Sequence, residues 1–234
     1  MIIAGILAGG TGTRMGADKP KQFLDLAGVP VIVRTVRTFL ENENIDAVII
    51  AMNLEWIDYS KELLAKYGIT EEEVTIVPGG ATRFESLEAL ARASAMLCGD
   101  DECLMINHDC ARPFVSQRII NDNITMVKDY DMVTTSVPTI DTVLVSKDGK
   151  VSDCVPDRST IFLDQGPQTV NVAHFLKMAD ALTSEEREKY MEAGRLYIDK
   201  GYRVGIVPGE RENFKLTTSF DMRLAEMMLS EEDN

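Results

Sequence analysis

The stretch Leu7-Ala8-Gly9-Gly10-Thr11-Gly12-Thr13-Arg14-Met15-Gly16-Ala17-Asp18-Lys19-Pro20-Lys21 sets three cations, Arg14, Lys19 and Lys21, beside a run of glycines and a single acid, Asp18. Gly9, Gly10 and Gly12 let backbone N–H groups approach phosphate oxygens, and Arg14 and Lys21 can neutralise the charge that collects there. The chain as a whole carries 24 Lys plus Arg against 38 Asp plus Glu, a net charge of −14. A local cationic excess in such an acidic molecule has a physical use in holding a triphosphate. Two commoner phosphate loops fail on spacing. A GxGxxG dinucleotide fingerprint needs a glycine where Met15 stands, and GxxxxGK[ST] occurs nowhere. Glycine spacing alone suits a solvated turn equally well; the Arg and Lys positions favour phosphate.

Other residues suit the same chemistry. Gly79-Gly80 follows an apolar run and precedes a helical pattern that opens with Arg83 and Ser86, so amides and a hydroxyl there can read a base edge; the reading without chemistry is a turn and helix cap. Asp109 ends another apolar run, where one carboxylate suits Mg²⁺ bound jointly with phosphate oxygens. His108 beside it reads as structural, and Arg112 as a loop-fixing partner for a carboxylate. Arg158 and Lys215 are cations far apart in sequence that meet only if the fold or a dimer unites them. The two histidines, His108 and His174, cannot make a histidine-rich metal site.

The elements that must position these groups follow from hydropathy. Apolar runs of five to eight residues alternate with amphipathic runs of ten or more, the pattern of βα units on a parallel sheet. Strands are expected at Ile2–Leu7, Ile45–Met52, Val74–Val77, Cys103–Asn107, Met132–Pro138 and Arg203–Val207. Helices are expected at Pro30–Leu40, Trp56–Tyr67, Arg83–Leu97, from Ser116 to Val127, from Val172 to Leu182, from Ser184 to Lys200, and from Asp221 to Leu229. Between about 139 and 164 the pattern loosens into short β runs, Thr142–Val145 and Val151–Val155, around an Asp148-Gly149 turn, which reads as an arm projecting from the sheet. With 45% hydrophobic residues and no repeat or linker, one α/β domain spanning 1–234, its mostly parallel Rossmann-like sheet covered by helices on both faces, accounts for the whole chain. The acidic balance argues against nucleic-acid binding. No run approaches the length of a membrane span and no basic leader precedes the first strand, so a cytoplasmic protein is expected. Cys98, Cys103, Cys110 and Cys154 lack zinc-site spacing and read as reduced thiols.

The first loop, continued by Pro20-Lys21-Gln22-Phe23, resembles the signature loop of the sugar-nucleotide and polyol-phosphate nucleotidylyltransferases. Within them it is most similar to the cytidylyltransferases that make CDP-methylerythritol or CDP-ribitol. Further matching motifs run along the chain: Gly79-Gly80-Ala81-Thr82-Arg83 with Ser86, His108 to Pro113, Asp141-Thr142, Asp157-Arg158, Pro167-Gln168-Thr169 and Asn213 to Thr218. The resemblance implies the nucleotide-diphospho-sugar transferase fold and transfer of CMP from CTP to a polyol phosphate with release of pyrophosphate. It implies Arg14 and Lys21 as catalytic residues. Nucleotide binding falls to Leu7, Ala8, Gly9, Gly10, Gly12, Thr13, Gly80, Arg83, Ser86 and Asp109, with Mg²⁺ on Asp109. It also implies an acceptor phosphate held by Thr142, Arg158 and Lys215, and a homodimer joined through the arm. Details of the first loop, Arg112-Pro113-Phe114 and Asn121 to Ile124 favour ribitol 5-phosphate over methylerythritol 4-phosphate as acceptor. Three departures bear on that choice: Gly166 replaces a usual threonine, Met191-Glu192-Ala193 replaces a usual Thr-Asp helix start, and Glu212 stands where some relatives carry aspartate. A non-catalytic nucleotide-binding protein is the alternative from another class, and a nicotinamide oxidoreductase the weakest.

Overall fold

The computed structural model describes residues 1–10 and 19–232. Strands β1 (Ile2–Leu7), β4 (Ala47–Met52), β5 (Val74–Pro78) and β6 (Leu104–Asp109) lie parallel, in the order β5-β4-β1-β6. The sheet then continues through β8 (Phe162–Asn171), β7 (Met132–Pro138) and β9 (Val204–Pro208), of which β8 alone runs against its neighbours. A small hairpin of β2 (Asp25–Leu26) and β3 (Val29–Pro30) stands apart.

The period-two alternation of each central strand decides which face each side chain serves. Ile3, Ile49, Ala51 and Met105 point to one face, where α3 (Arg83–Cys98), α5 (Val172–Asp180) and α7 (Ala193–Asp199) cover them with Phe84, Leu87, Phe175 and Tyr197. Ala4, Ile6, Val48, Ile50 and Ile106 point to the other, under α1 (Val31–Leu40), α2 (Ile57–Lys66) and α4 (Gln117–Met126), which supply Ile32, Val36, Phe39, Leu64, Ile119 and Ile120. Gly5 admits α3 closely, since a Cβ there would lie 3.2 Å from Leu90 and from Met105. Helix ends follow local chemistry. Ser116 caps α4 by accepting from the Ile119 amide, and Thr82 and Glu85 form a reciprocal capping box at the start of α3. The last helix, α8 (Ser219–Glu232), packs Met222, Ala225 and Leu229 against Leu26 and Leu216. No described helix is long and apolar enough to cross a membrane.

The structure departs from the expected elements in four places. β8 was not expected: Gly166-Pro167 interrupts it, and a proline inside a run argues against a strand. It is accommodated by an irregularity. Thr134 pairs with Gln168 and Ser136 with Asp164, so residues 165–167 bulge out of register. Because Pro138 pairs with Phe162, the arm ends at Ile161 rather than near 164, and its two expected strands reduce to one bridge, Val145 with Cys154. The Asp148-Gly149 turn is present, with Asp148 accepting from the Lys150 and Val151 amides and Gly149 at φ +71°. The helix expected over Ser184–Lys200 is two, α6 (Ser184–Arg187) and α7, because Glu192 caps a new start by accepting from the Gly194 and Arg195 amides. Finally, Cys98 and Cys103 are joined in a disulfide rather than reduced: a short turn from α3 into β6 brings their Cα atoms to 6.0 Å. Cys110 and Cys154 are free.

Candidate active site

The carboxyl ends of β5, β4, β1 and β6 form one rim, and their ladders run one step past the strands. The Ala8 amide donates to the Ala51 carbonyl at 2.8 Å, Gly79 to Met52 at 2.7 Å and Cys110 to Leu7 at 3.0 Å. The loops after three strands are thereby held to the sheet before they diverge. Between them opens a cleft of ≈ 230 Å³ whose walls include Gly9, Gly10, Lys21, Gly80, Asp109 and Lys215. This is the edge where open α/β sheets bind ligands.

The cleft's parts are locally determined. Gln22 is buried and donates to the Ala8 carbonyl at 2.7 Å, which fixes the turn that carries Lys21. Lys19 turns elsewhere: its Nζ lies 3.1 Å from the Tyr59 hydroxyl and over that ring. Gly12, Thr13 and Arg14 lie outside the described residues. Gly80 must be glycine, because a Cβ would fall 2.1 Å from that of Glu85. The Ser86 hydroxyl accepts from the Gly80 amide and donates to the Thr82 carbonyl, so it lines the cleft and also sets the Gly79-Gly80 turn.

Asp109 is the electrostatic centre. Lys215 Nζ lies 2.6 Å from Oδ2, Arg83 Nη2 is 3.3 Å from Oδ1, and Arg112 Nε is 3.8 Å from Oδ2. Burial alone would raise its pKa, but the charges of Arg83, Lys215 and Arg112 outweigh burial and hold the carboxyl well below the usual carboxylate range. Lys215 arrives from the segment after β9, which docks through the Leu216 amide on the Ala111 carbonyl. Arg83 also donates to the Met191 carbonyl at 3.0 Å, tying the break before α7 to the site. His108 is buried, bound through Nε2 to the Arg112 carbonyl at 2.9 Å, and burial lowers its pKa to about 4, so it is neutral and holds a loop. Arg112 Nη1 donates to the Asn213 carbonyl, consistent with the expected loop-fixing role.

The arm residues stand apart. Thr142 and Arg158 are exposed, Arg158 Nη1 donates to the Ile140 carbonyl, and neither residue lines the cleft that Lys215 borders. Glu212 is exposed and lines neither this cleft nor the smaller cavity beside it. Sequence reasoning missed that cavity, which lies on the β8 side of Asp109 and is bordered by Asn107, Asp164 and Gln168. Of these three, Gln168 alone falls within a recognised motif. As for metals, no group of three or more His, Cys, Asp or Glu side chains is assembled among the described residues. Among the described residues, Asp109 is the carboxylate that lines the cleft.

Comparison with known proteins decides the class. The family model for 2-C-methyl-D-erythritol 4-phosphate cytidylyltransferase matches residues 2–231. The chain belongs to this family. It is therefore a cytidylyltransferase, which sets aside the non-catalytic and oxidoreductase alternatives. A protein described as ribitol-5-phosphate cytidylyltransferase from Lactiplantibacillus plantarum is 38% identical over 98% of both chains. One of the same description from Streptococcus pneumoniae is 34% identical over 99% of this chain and 100% of its own. Among solved structures, the 4-diphosphocytidyl-2C-methyl-D-erythritol synthase of Anaerococcus prevotii superposes with a TM-score of 0.80 at 26% identity, covering 98% of this chain and 96% of that one.

Proposed function

We propose that the chain transfers CMP from CTP to D-ribitol 5-phosphate, giving CDP-ribitol and pyrophosphate. The observation that carries the reading is the ionised Asp109, held among Lys215, Arg83 and Arg112 at the mouth of a glycine-walled cleft. A nucleotide laid there meets the amides of Gly9 and Gly10 with its phosphates, while Gly80, Arg83 and Ser86 border its base and ribose. An acceptor phosphate oxygen attacks the α-phosphorus; the bond from that phosphorus to the bridging oxygen breaks, and its electron pair leaves with pyrophosphate. The acceptor phosphate is already largely a dianion near neutral pH, so no strong base is needed, and neutral, buried His108 supplies none. Positioning and charge neutralisation do the rest, with Arg14 and Lys21 on the triphosphate and Lys215 poised between Asp109 and the incoming phosphate.

The donor set fits Mg²⁺: one carboxylate beside a phosphate cradle is the usual protein share of such a site, and Asp109 would hold the ion. When bound, Mg²⁺ neutralises charge developing on the phosphate oxygens. Support for ribitol comes from the full-length identity of 38% and 34% to proteins so described. The second reading, methylerythritol 4-phosphate, is favoured by the family description and the structural neighbour. We place the reaction in the cytoplasm and assign Thr142 and Arg158 to a partner's acceptor site in an arm-linked homodimer. Ile140, Leu144, Val151 and Val155 on the arm are each more than half exposed, an apolar surface suited to such a contact. Pyrophosphate release measured with CTP, ATP, UTP and GTP against both acceptors tests the reading. Release with CTP and ribitol 5-phosphate supports it; release only with methylerythritol 4-phosphate transfers the assignment.

A further inference from the structure

Lys215 is carried by a stretch with no regular structure of its own: residues 210–218, between β9 and α8, belong to neither a helix nor a strand. No ladder fixes this backbone, so the groups that reach it from neighbouring elements decide its path. Four hydrogen bonds tie it to β8 and to the loop after β6. Gln165 Nε2 donates to the Glu210 carbonyl at 2.8 Å, and Asn213 Nδ2 donates to the Gly166 carbonyl at 2.8 Å. Arg112 Nη1 donates to the Asn213 carbonyl at 2.9 Å, and the Leu216 amide donates to the Ala111 carbonyl at 2.8 Å. We propose that Gln165 and Asn213 are positioning residues for the transfer, two buried amides that clamp this segment onto β8 and thereby aim Lys215 at Asp109 and the reacting phosphate. The inference rests on the role given to Lys215 above and extends it to the residues that place Lys215.

Both amides are built in. Gln165 is 8% exposed and Asn213 is fully buried. Each reaches a backbone carbonyl, which can only accept, so the side-chain nitrogen must face it. An apolar residue at either position would leave that carbonyl unpaired away from water. The irregularity in β8 makes the clamp possible. Because Thr134 pairs with Gln168 and Ser136 with Asp164, residues 165–167 stand outside the ladder, and the Gly166 carbonyl is free to take Asn213. Gly166 has φ +66°, a conformation that glycine adopts at no steric cost. On the other side, a Cβ added at Gly209 would collide with Gln165 Oε1, so a glycine lets the chain close down on Gln165.

The clamp matters because of what lies next to it. Asn213 is held through its side chain and its carbonyl, and Leu216 through its amide and a side chain only 1% exposed. Lys215 sits between these fixed points. Its side chain is long, flexible and 35% exposed, yet Nζ lies 2.6 Å from Asp109 Oδ2. Fixing the backbone on both sides limits where that ammonium can go. Gln165 and Asn213 come from separate parts of the chain, and neither lines the nucleotide cleft. Any effect they have on the reaction passes through Lys215.

The test is a double-mutant cycle on the intact chain, read by pyrophosphate release at saturating CTP and Mg²⁺. Wild type is first assayed with D-ribitol 5-phosphate and with methylerythritol 4-phosphate, and the acceptor that is turned over serves for the rest, so the ribitol reading can fail without deciding this one. Asn213→Ala is expected to lower kcat roughly 10- to 100-fold, the cost of displacing a reacting-site group by about 1 Å. The KM for CTP should change by no more than about threefold. Lys215→Ala should lose at least as much turnover. With both substitutions together, kcat should fall no more than about threefold below Lys215→Ala alone, because the group that Asn213 places is already gone. Losses that multiply would make the amide a structural element without a hold on the chemistry and overturn the inference, as would wild-type kcat in Asn213→Ala. Gln165→Met removes the donor while keeping the side chain's length; it runs through the same cycle and carries the test if Asn213→Ala does not fold. Wild-type kcat in Lys215→Ala would take Lys215 out of the reaction, and this inference with it. No release with either acceptor would overturn the proposed function itself.

Discussion

Replacing Asp109 by asparagine removes one negative charge from among three positive ones without changing the side chain's shape. In the wild-type protein Lys215, Arg83 and Arg112 converge on this carboxylate at 2.6, 3.3 and 3.8 Å. Breaking a buried pair from one side typically costs 3–5 kcal/mol. Here the Lys215 and Arg83 side chains keep 35% and 29% of their exposure, so water recovers part of the loss and a cost of about 3 kcal/mol is expected. For a chain of this size that lowers Tm by roughly 6–12 °C. Catalysis should suffer beyond stability, because the same group is assigned the metal and the orientation of Lys215. Turnover is expected to fall ~10²- to 10³-fold, the range for losing one preorganised electrostatic contact. Pyrophosphate release at 20 °C, below the lowered Tm, reads the catalytic part, and calorimetry reads the other. An Asp109→Asn enzyme with wild-type Tm and turnover within about threefold would refute the reasoning about both the charge cluster and the reaction.

Three further outcomes are expected. Lys21→Ala should reduce turnover by ~10²-fold while shifting Tm by no more than a few degrees, since Lys21 lines the open cleft rather than the core; a loss of stability matching the loss of activity would make Lys21 structural. Arg158→Ala should raise the KM for the acceptor and spare that for CTP, whereas Lys215→Ala should lower kcat as well, because Lys215 lies on Asp109 and lines the nucleotide cleft; identical profiles for the two variants would contradict the arrangement. The third concerns pH. His108 is buried neutral with a pKa lowered to about 4, so the unfolded chain binds the extra proton first. Stability should fall as pH drops from about 6.5 toward 4, by about 3 kcal/mol at most. Asp109, whose folded pKa is depressed, loses its contribution only below the ordinary carboxylate range, so the two windows separate. Denaturant unfolding of wild type and His108→Gln across that range should show the shallower slope in the variant.

What was legible in the sequence was local. The first strand and its glycine loop, the Gly79-Gly80 turn and the strand ending at Asp109 each announce themselves by a hydrophobic run that stops at a turn or a charge. A parallel sheet then gathers those ends on one edge whatever the rest of the chain does. What was not legible depends on tertiary closure. Lys215 reaches Asp109 from 106 positions away, and no periodicity links them. β8 carries Asp164, Gln165 and Gln168 toward the site and contains a proline, so polarity and propensity both disguise it. The break at Glu192 is a competition between continuing a helix and capping a new one. The cap wins, and it brings Glu192 to Gln168 and the Met191 carbonyl to Arg83. The Cys98–Cys103 pairing likewise depends on how tightly α3 turns into β6.

The central claim is that the glycine-walled cleft at the carboxyl edge holds CTP with its α-phosphate beside Asp109 and Lys215. A crystal structure of the protein with CTP and Mg²⁺ tests it most directly. The account predicts the triphosphate on the amides of Gly9 and Gly10, the base near Gly80, and the α-phosphate within contact of Lys21. Nucleotide bound at another edge of the sheet, or an empty cleft at saturating CTP, would contradict it.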